Sequence, residues 1–265
     1  MRKVVYIYGG WGNNLFQLNK AYNLKEQGFD VEINLFMTLE KSFLVHKLLG
    51  WTHHKSYHFF KKLEILEQSE LSVIKRFDFS FILILFLKKI RLRVNNFYIG
   101  HYFDEPLNSN LLYVLKESIK RFRNEVPTEY LGKCFVHFRG GDFLKLGIGL
   151  PLNYFASINQ DEIFLVTDDP DNASFLFSDL KIKIKIIKSN SAIYDFLLLA
   201  NSGVLYLSNS TFSWWASELS EASIIYQPKV FYKHINFRHH IAISHIDKPV
   251  CYTSFSKLFY TIKII

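Results

Sequence analysis

The segment "KVVYIYGGWGNNLFQLNKAYNLKEQGFDVEINLF", Lys3 to Phe36, constrains the fold more than any other stretch. "KVVYIY" is β-branched and aromatic with no helical period, which predicts a buried strand. The glycines of "GGWG" then supply a turn. "LFQLNKAYNLKEQG" repeats apolar residues at helical spacing and stops at Gly28. "DVEINLF" returns to strand. A strand–helix–strand unit opens a parallel α/β sheet, because parallel neighbours need a crossover between them.

A second series begins at "KCFVHFRGGDF", Lys133 to Phe143, with further strands predicted at "IFLVTDD", "KIKIKIIK", "VLYLSNS" and "SIIYQP". Lys181 to Lys188 alternates lysine with isoleucine, so one face is wet and an edge strand is the simplest account. Residues 40–125 are mostly helical in pattern, with "FYIGHYF" as a possible strand. "NEVPTEYLG" reads as a connection. The chain of 265 residues, at roughly 100–200 per domain, divides into two lobes at about residue 127. The fold class expected is α/β, with two Rossmann-like lobes, 1–127 and 128–265.

Hydrophobic residues make up 49% of the chain, with 26 Phe and 15 Tyr, enough for two cores. Charged residues at 21% argue against disorder. A formal charge of +8 favours an anionic partner such as a phosphate ligand, a nucleic acid or a membrane surface. The basic residues are spread among strands and helices, which counts against a nucleic-acid partner. Two cysteines outside any C-x-x-C pair suit a reducing compartment. The longest apolar run, "FSFILILFL" (Phe79 to Leu87), has nine residues where a bilayer span takes about 20. Followed by "KKIRLR", it suits either a buried helix with a basic end or a contact with an anionic membrane surface.

Four constellations carry chemistry. "GGWGNNLFQ" (Gly9 to Gln17) puts glycines between a strand and a helix, where backbone amides approach a phosphate, or it is an ordinary tight turn. The third glycine of a dinucleotide fingerprint is absent, which weighs against an oxidoreductase. "FVHFRGGDF" puts His137 and Arg139 on one face of a strand, with Asp142 beyond two glycines. Arg139 at a strand's carboxyl end suits bidentate phosphate binding, or an Arg–Asp pair that staples the turn. "VTDDPD" offers Asp168 and Asp169 for ribose hydroxyls, or a turn with Asp171 and Asn172 as helix caps. No third ligand at metal spacing accompanies them. "YDFLLLANSGVLYLSNSTFSWWASEL" brings Asp195, then hydroxyls at Ser208, Ser210, Thr211 and Ser213. A cap needs one hydroxyl, so four suggest an anion cradle, with two tryptophans behind it.

As an ordered set these motifs resemble the α-1,2-fucosyltransferases of the bacterial lipopolysaccharide and H-antigen type (glycosyltransferase family 11), from residue 4 to about 232. Gly9–Gln17 resembles the family's G-G-x-G-N-Q-x-F-Q, His137–Phe143 its H-x-R-R-G-D-Y, Thr167–Asp169 its S-D-D, and Ser208–Ser217 its S-N-S-[ST]-F-S-W-W-[AG]-A. The departures are Asn14, Gly140, Phe143 and Thr167, and the lost arginine at Gly140 matters most. Lys145 is one substitute for it.

The resemblance implies a GT-B variant whose lobes face a cleft, with the acceptor on 1–127 and GDP-fucose on 128–265. It implies fucose transfer from GDP-β-L-fucose to O2 of a terminal galactose in an O-antigen-like, lipid-linked acceptor, with inversion and no obligatory metal or other cofactor. His137 and Arg139 would meet guanine and the β-phosphate, Asp195 guanine N1 and N2, and Ser210, Thr211, Phe212 and Ser213 the diphosphate. Gly12 and Asn13 would approach from the other lobe, and Asp168 would serve the ribose. Arg139, Asn13 and Asp142 are the catalytic candidates, with Asp142 as base. The expected location is the cytoplasm, peripheral to the inner face of the membrane. A non-catalytic sugar-nucleotide-binding protein shares the same motifs, and so does a transferase using another nucleotide sugar or acceptor hydroxyl.

Overall fold

The computed structural model describes residues 2–49, 51, 54, 56–89, 96–145, 149–189, 191–228, 241–243, 251–254 and 259–261. The chain forms two compact units, Met1–Lys120 and Arg121–Ile265. The division falls ahead of the connection read at residue 127.

Unit 1 is built on a parallel sheet. β1 (Arg2–Tyr6) pairs with β2 (Asp30–Asn34) on one side and β4 (Phe97–Tyr98) on the other, while β3 (Ser72–Ile74) extends the sheet beyond β2. α1 (Trp11–Glu26) makes the first crossover. It ends because Gly28 takes φ +82°, a left-handed conformation that glycine adopts without a Cβ penalty. The Gly28 and Phe29 amides then donate to the Lys25 and Leu24 carbonyls at 2.9 and 3.2 Å, closing a Schellman turn. The remaining helices of this unit are α2 (Phe43–Leu49), α3 (Tyr57–Lys62), α4 (Phe79–Lys89) and α5 (Ser109–Arg121).

Residues 40–125 are mostly helical among the described residues, and the structure adds two details to that reading. β3 interrupts the stretch read as helical, since three residues are too few for a period of two to register. "FYIGHYF" forms strand only at Phe97–Tyr98, after which Tyr102 takes a positive φ of 57° that ends the extended run.

Unit 2 holds a parallel sheet ordered β10-β9-β8-β5-β6-β7. In chain order the elements are β5 (Cys134–Phe138), α6 (Gly141–Lys145), α7 (Leu152–Ala156), β6 (Glu162–Thr167), α8 (Pro170–Phe177), β7 (Lys183–Ile187), α9 (Ala192–Ala200), β8 (Val204–Tyr206), α10 (Thr211–Glu218), β9 (Ile224–Pro228) and β10 (Ile241–Ile243). β5 is buried at every position, as a central parallel strand covered on both faces must be. β7 is the edge strand that its alternation predicted, and Lys183 and Lys185 both pair with Glu162 of β6. β11 (Cys251–Ser254) and β12 (Phe259–Thr261) form a separate antiparallel pair.

From β5 the chain passes to β6 and β7 on one side, then returns to β8 and β9 on the other. Strand order therefore reverses between β5 and β8. The crevice outside the carboxyl ends of such a pair is where open α/β sheets bind ligands.

Candidate functional site

Three of the four sequence constellations lie at the carboxyl ends of the strands of unit 2, and the fourth, Gly9 to Gln17, belongs to unit 1. His137 is the fourth residue of β5 and is 4% exposed. Its Nδ1 lies 2.6 Å from Ser208 Oγ, across the switch point, and its ring sits 5.5 Å from that of Phe212. Burial pushes the imidazole down to about 3, with the Arg139 charge adding to the effect. His137 is therefore neutral near pH 7, a hydrogen-bonding group rather than a cation.

Arg139 leaves β5 and pairs through Nη1 with Asp168 Oδ2 at 2.6 Å. Its guanidinium also lies over the Phe143 ring, 5.0 Å from the centroid. Asp168 Oδ1 accepts the Gly140 amide at 2.9 Å, and Asp169 Oδ2 accepts the Gly141 amide at 3.0 Å. The two aspartates thus bind the β5 turn to the β6 turn. Asp169 also caps α8, accepting from the Asn172 amide at 3.3 Å, with Pro170 at the first helical position. The helix starts earlier than a cap at Asp171 or Asn172 would place it, which corrects that expectation. The fixed φ of Pro170 and the preceding Asp already form the start.

The approach of these turns explains the glycine at 140. A Cβ there would lie 2.3 Å from Cβ of Asp169, closer than real side chains come. The absent arginine and the close Asp169 loop belong together, because an arginine would begin with that same Cβ. Gly140→Ala is expected to destabilise the fold by about 1–3 kcal/mol, the usual cost of forced overpacking. An unchanged denaturation midpoint would show that the two turns part freely. Asp142 and Lys145 belong to α6, and their side chains lie outside the described residues.

The serine-rich turn has divided duties. Ser210 caps α10, its hydroxyl accepting from the Phe212 amide at 3.3 Å. Ser213 is wholly buried and donates to the Ser210 carbonyl at 3.1 Å. Its oxygen lies 3.3 Å from Ser208 Oγ, continuing the chain of hydroxyls that ends at His137. Two of the four hydroxyls, Ser208 and Ser213, are thus turned into the protein, where they shape the bend. Thr211 opens α10 at 8% exposure. Behind them Trp214 and Trp215 are 1% and 0% exposed and meet edge to face at 5.2 Å.

Asp195 sits in the first turn of α9, beside this bend: the neighbouring Phe196 ring meets Phe212 at 5.3 Å. Burial pushes the Asp195 carboxyl up to about 6; a bond from Ser189 opposes this and the nearby Asp168 charge reinforces it. A carboxyl poised near neutral pH by burial and a like charge marks a binding or catalytic position.

Sequence reasoning did not pick out Tyr154, whose hydroxyl donates to the Leu207 carbonyl at 2.8 Å and so fixes the strand end just before Ser208. Nothing in the local pattern distinguishes it from the chain's other tyrosines. It also did not assign Gln17 a role. In unit 1 the Tyr8 amide donates to Gln17 Oε1 at 2.8 Å, and Gln17 Nε2 donates to the Gly100 carbonyl at 3.0 Å. Gln17 thus ties the glycine turn to the segment after β4. Asn14 Nδ2 donates to Ser56 Oγ at 2.5 Å, also inside the unit. Gly12 is buried and Asn13 half-buried in the first turn of α1.

No protein-family model and no curated protein matches this chain. Solved structures that it is similar to include the fucosyltransferase NodZ from Bradyrhizobium, 15% identical, over 83% of this chain and 94% of that one, with a TM-score of 0.45. The E. coli heptosyltransferase WaaC with ADP-2-deoxy-2-fluoro heptose is 10% identical over 92% and 93% of the two chains, with a TM-score of 0.44. POFUT1 in complex with GDP is 11% identical over 92% and 99%, with a TM-score of 0.42. At these identities and scores the likeness concerns the course of the chain alone.

Proposed function

We propose that this chain is an inverting glycosyltransferase that moves L-fucose from GDP-β-L-fucose to O2 of a terminal galactose in a surface-polysaccharide acceptor. One observation carries the proposal: at the topological switch point of unit 2, His137 of β5 hydrogen-bonds Ser208 of the serine-rich bend, and two residues further on Arg139 leaves the same strand, paired with Asp168.

In this proposal the diphosphate lies between the Arg139 guanidinium and the start of α10, whose partial positive end favours an anion. The C1–O bond to the β-phosphate breaks as the bond from the acceptor's O2 to C1 forms on the opposite face. Charge then grows on the β-phosphate, and donors held in place beforehand stabilise it more than they stabilise the bound donor sugar. Asp168 and Phe143 hold Arg139 in this way. The acceptor hydroxyl's proton goes to a carboxylate, for which Asp142 is the candidate. The acceptor is assigned to unit 1, with Gly12 and Asn13 on its glycine turn. Carboxylates after β6 that are already engaged by Arg139 and backbone amides favour a reaction without a divalent ion.

Asp195 is proposed to accept from guanine N1–H and N2–H. Only the ionised carboxylate offers two acceptors, so the sign follows directly: donor affinity falls as pH drops through about 6. Asp195→Asn should bind GDP weakly at all pH values and lose this dependence. A wild-type affinity flat between pH 5 and 7.5 by calorimetry would remove Asp195 from the site. The activity test offers GDP-fucose, GDP-mannose, ADP-heptose and UDP-galactose with a panel of galactosides, following nucleotide release and product linkage with and without chelator. The proposal expects GDP release from GDP-fucose only with a galactoside present, and an α-1,2 product. Turnover of a different donor, or binding without transfer, would overturn it.

A further inference from the structure

We propose that unit 1 binds a small organic anion, a carboxylate or phosphate carried on an apolar body, in a cavity between its sheet and the segment that joins β3 to α4. A parallel sheet is normally covered on both faces. Strand register puts Arg2, Val4, Asn34, Ile74 and Phe97 on one face, because Val4 lies beside Phe97 and Asn34 lies beside Tyr6 and Ile74. α4 covers part of that face, where Phe81 and Ile84 pack beside Val4, Tyr6 and Ile99. Like every helix among the described residues, α4 is not long and apolar enough to cross a membrane. The rest of the face is open: the same five residues line a cavity of about 700 Å³, walled by the segment from Arg76 to Ser80. That volume lies within the roughly 300–1,000 Å³ of small-molecule sites.

The charges of the lining select the ligand. The Arg2 guanidinium pairs with Glu32. Asp78 accepts the Tyr6 hydroxyl at 2.5 Å and the Ser80 amide at 2.8 Å. Arg76 is held through its backbone, where its carbonyl accepts from Asn34 Nδ2 at 3.3 Å. Its guanidinium feels the Asp78 charge but closes no ion pair among the described residues. A guanidinium in that state presents a planar fork that matches two oxygens of a carboxylate or phosphate. Phe77 and Phe79, in the same wall, meet edge to face at 4.9 Å, and Val4, Ile74 and Phe97 add an apolar floor. An available cation joined to this much apolar surface selects an anion with an apolar body over a bare ion or a neutral polar molecule. Neither the donor nor the acceptor assignment above is needed for this proposal.

Calorimetry on the full chain with phenyl phosphate and with benzoate tests it, against inorganic phosphate and benzyl alcohol. The expected result is one site for phenyl phosphate or benzoate, at least about tenfold tighter than for either control, and the tighter of the two identifies the anionic group. Arg76→Ala should weaken binding by about tenfold or more, and Arg76→Lys, which keeps the charge without the fork, should fall between. Phe79→Ala changes an 81% exposed side chain, so it should weaken binding at an unchanged melting temperature. Arg139→Ala should leave the binding as it is, which separates this cavity from the phosphate site proposed in unit 2. The proposal is overturned if neither probe binds saturably, if benzyl alcohol binds equally well, or if folded Arg76→Ala and Phe79→Ala proteins bind like wild type. Binding that disappears in Arg139→Ala would assign the probes to unit 2 and overturn it as well.

Discussion

Arg139→Ala is expected to lower the proposed transfer by about 10²–10³, a loss of roughly 2.7–4 kcal/mol of transition-state stabilisation, the usual result of removing one preorganised donor. The size follows from how Arg139 is held. Asp168 takes one end of the guanidinium at 2.6 Å, and the Phe143 ring lies beneath it at 5.0 Å. Little reorganisation is then required when charge develops on a phosphate. Stability should change far less, because the pair's side chains are 25% and 31% exposed and such ion pairs contribute about 0–1 kcal/mol. Arg139→Lys keeps the charge without the planar fork and should fall between the two. The measurement is kcat for GDP release with a galactoside, alongside a melting curve. Turnover equal to wild type in a folded Arg139→Ala protein would take this residue out of the reaction.

Trp215→Ala should destabilise unit 2 by about 3–5 kcal/mol, the range for emptying a buried aromatic site, and lower its melting temperature by roughly 10 °C. Trp215 is 0% exposed and meets Trp214 edge to face, in the helix α10 that the Ser208 to Ser213 bend opens. Ser213, which continues the hydroxyl chain through Ser208 to His137, lies in the same helix, so donor affinity should drop together with stability. A near-wild-type melting curve would mean that the bend is held elsewhere, by Tyr154 and the Ser213 hydrogen bonds.

Much of the architecture could be read from one dimension. β1, α1 and β2 follow from an apolar run, a glycine turn, a helical period and the stop at Gly28, all local signals. The edge position of β7 was equally plain, since alternating lysines can lie only on a sheet's wet margin. β3 was missed because three residues show no period and form strand only through pairing with β2. The serine-rich bend was recognised, but its hydroxyls were all counted as facing a ligand. Ser208 and Ser213 face inward because His137, far away in sequence, provides a partner there.

Composition and periodicity by themselves determined two parallel α/β units and brought attention to His137, Arg139, Asp168, Asp195 and the 208–213 bend, because strand ends and turns carry local chemical signatures. Tertiary structure alone decided the strand order that reverses between β5 and β8, and with it which turns share a crevice. It also decided that Asp168 braces Arg139, that Asp169 leaves no room for a side chain at Gly140, and that burial drives His137 and Asp195 away from their ordinary protonation. Contact and desolvation arise between residues distant in the chain, so no local pattern encodes them.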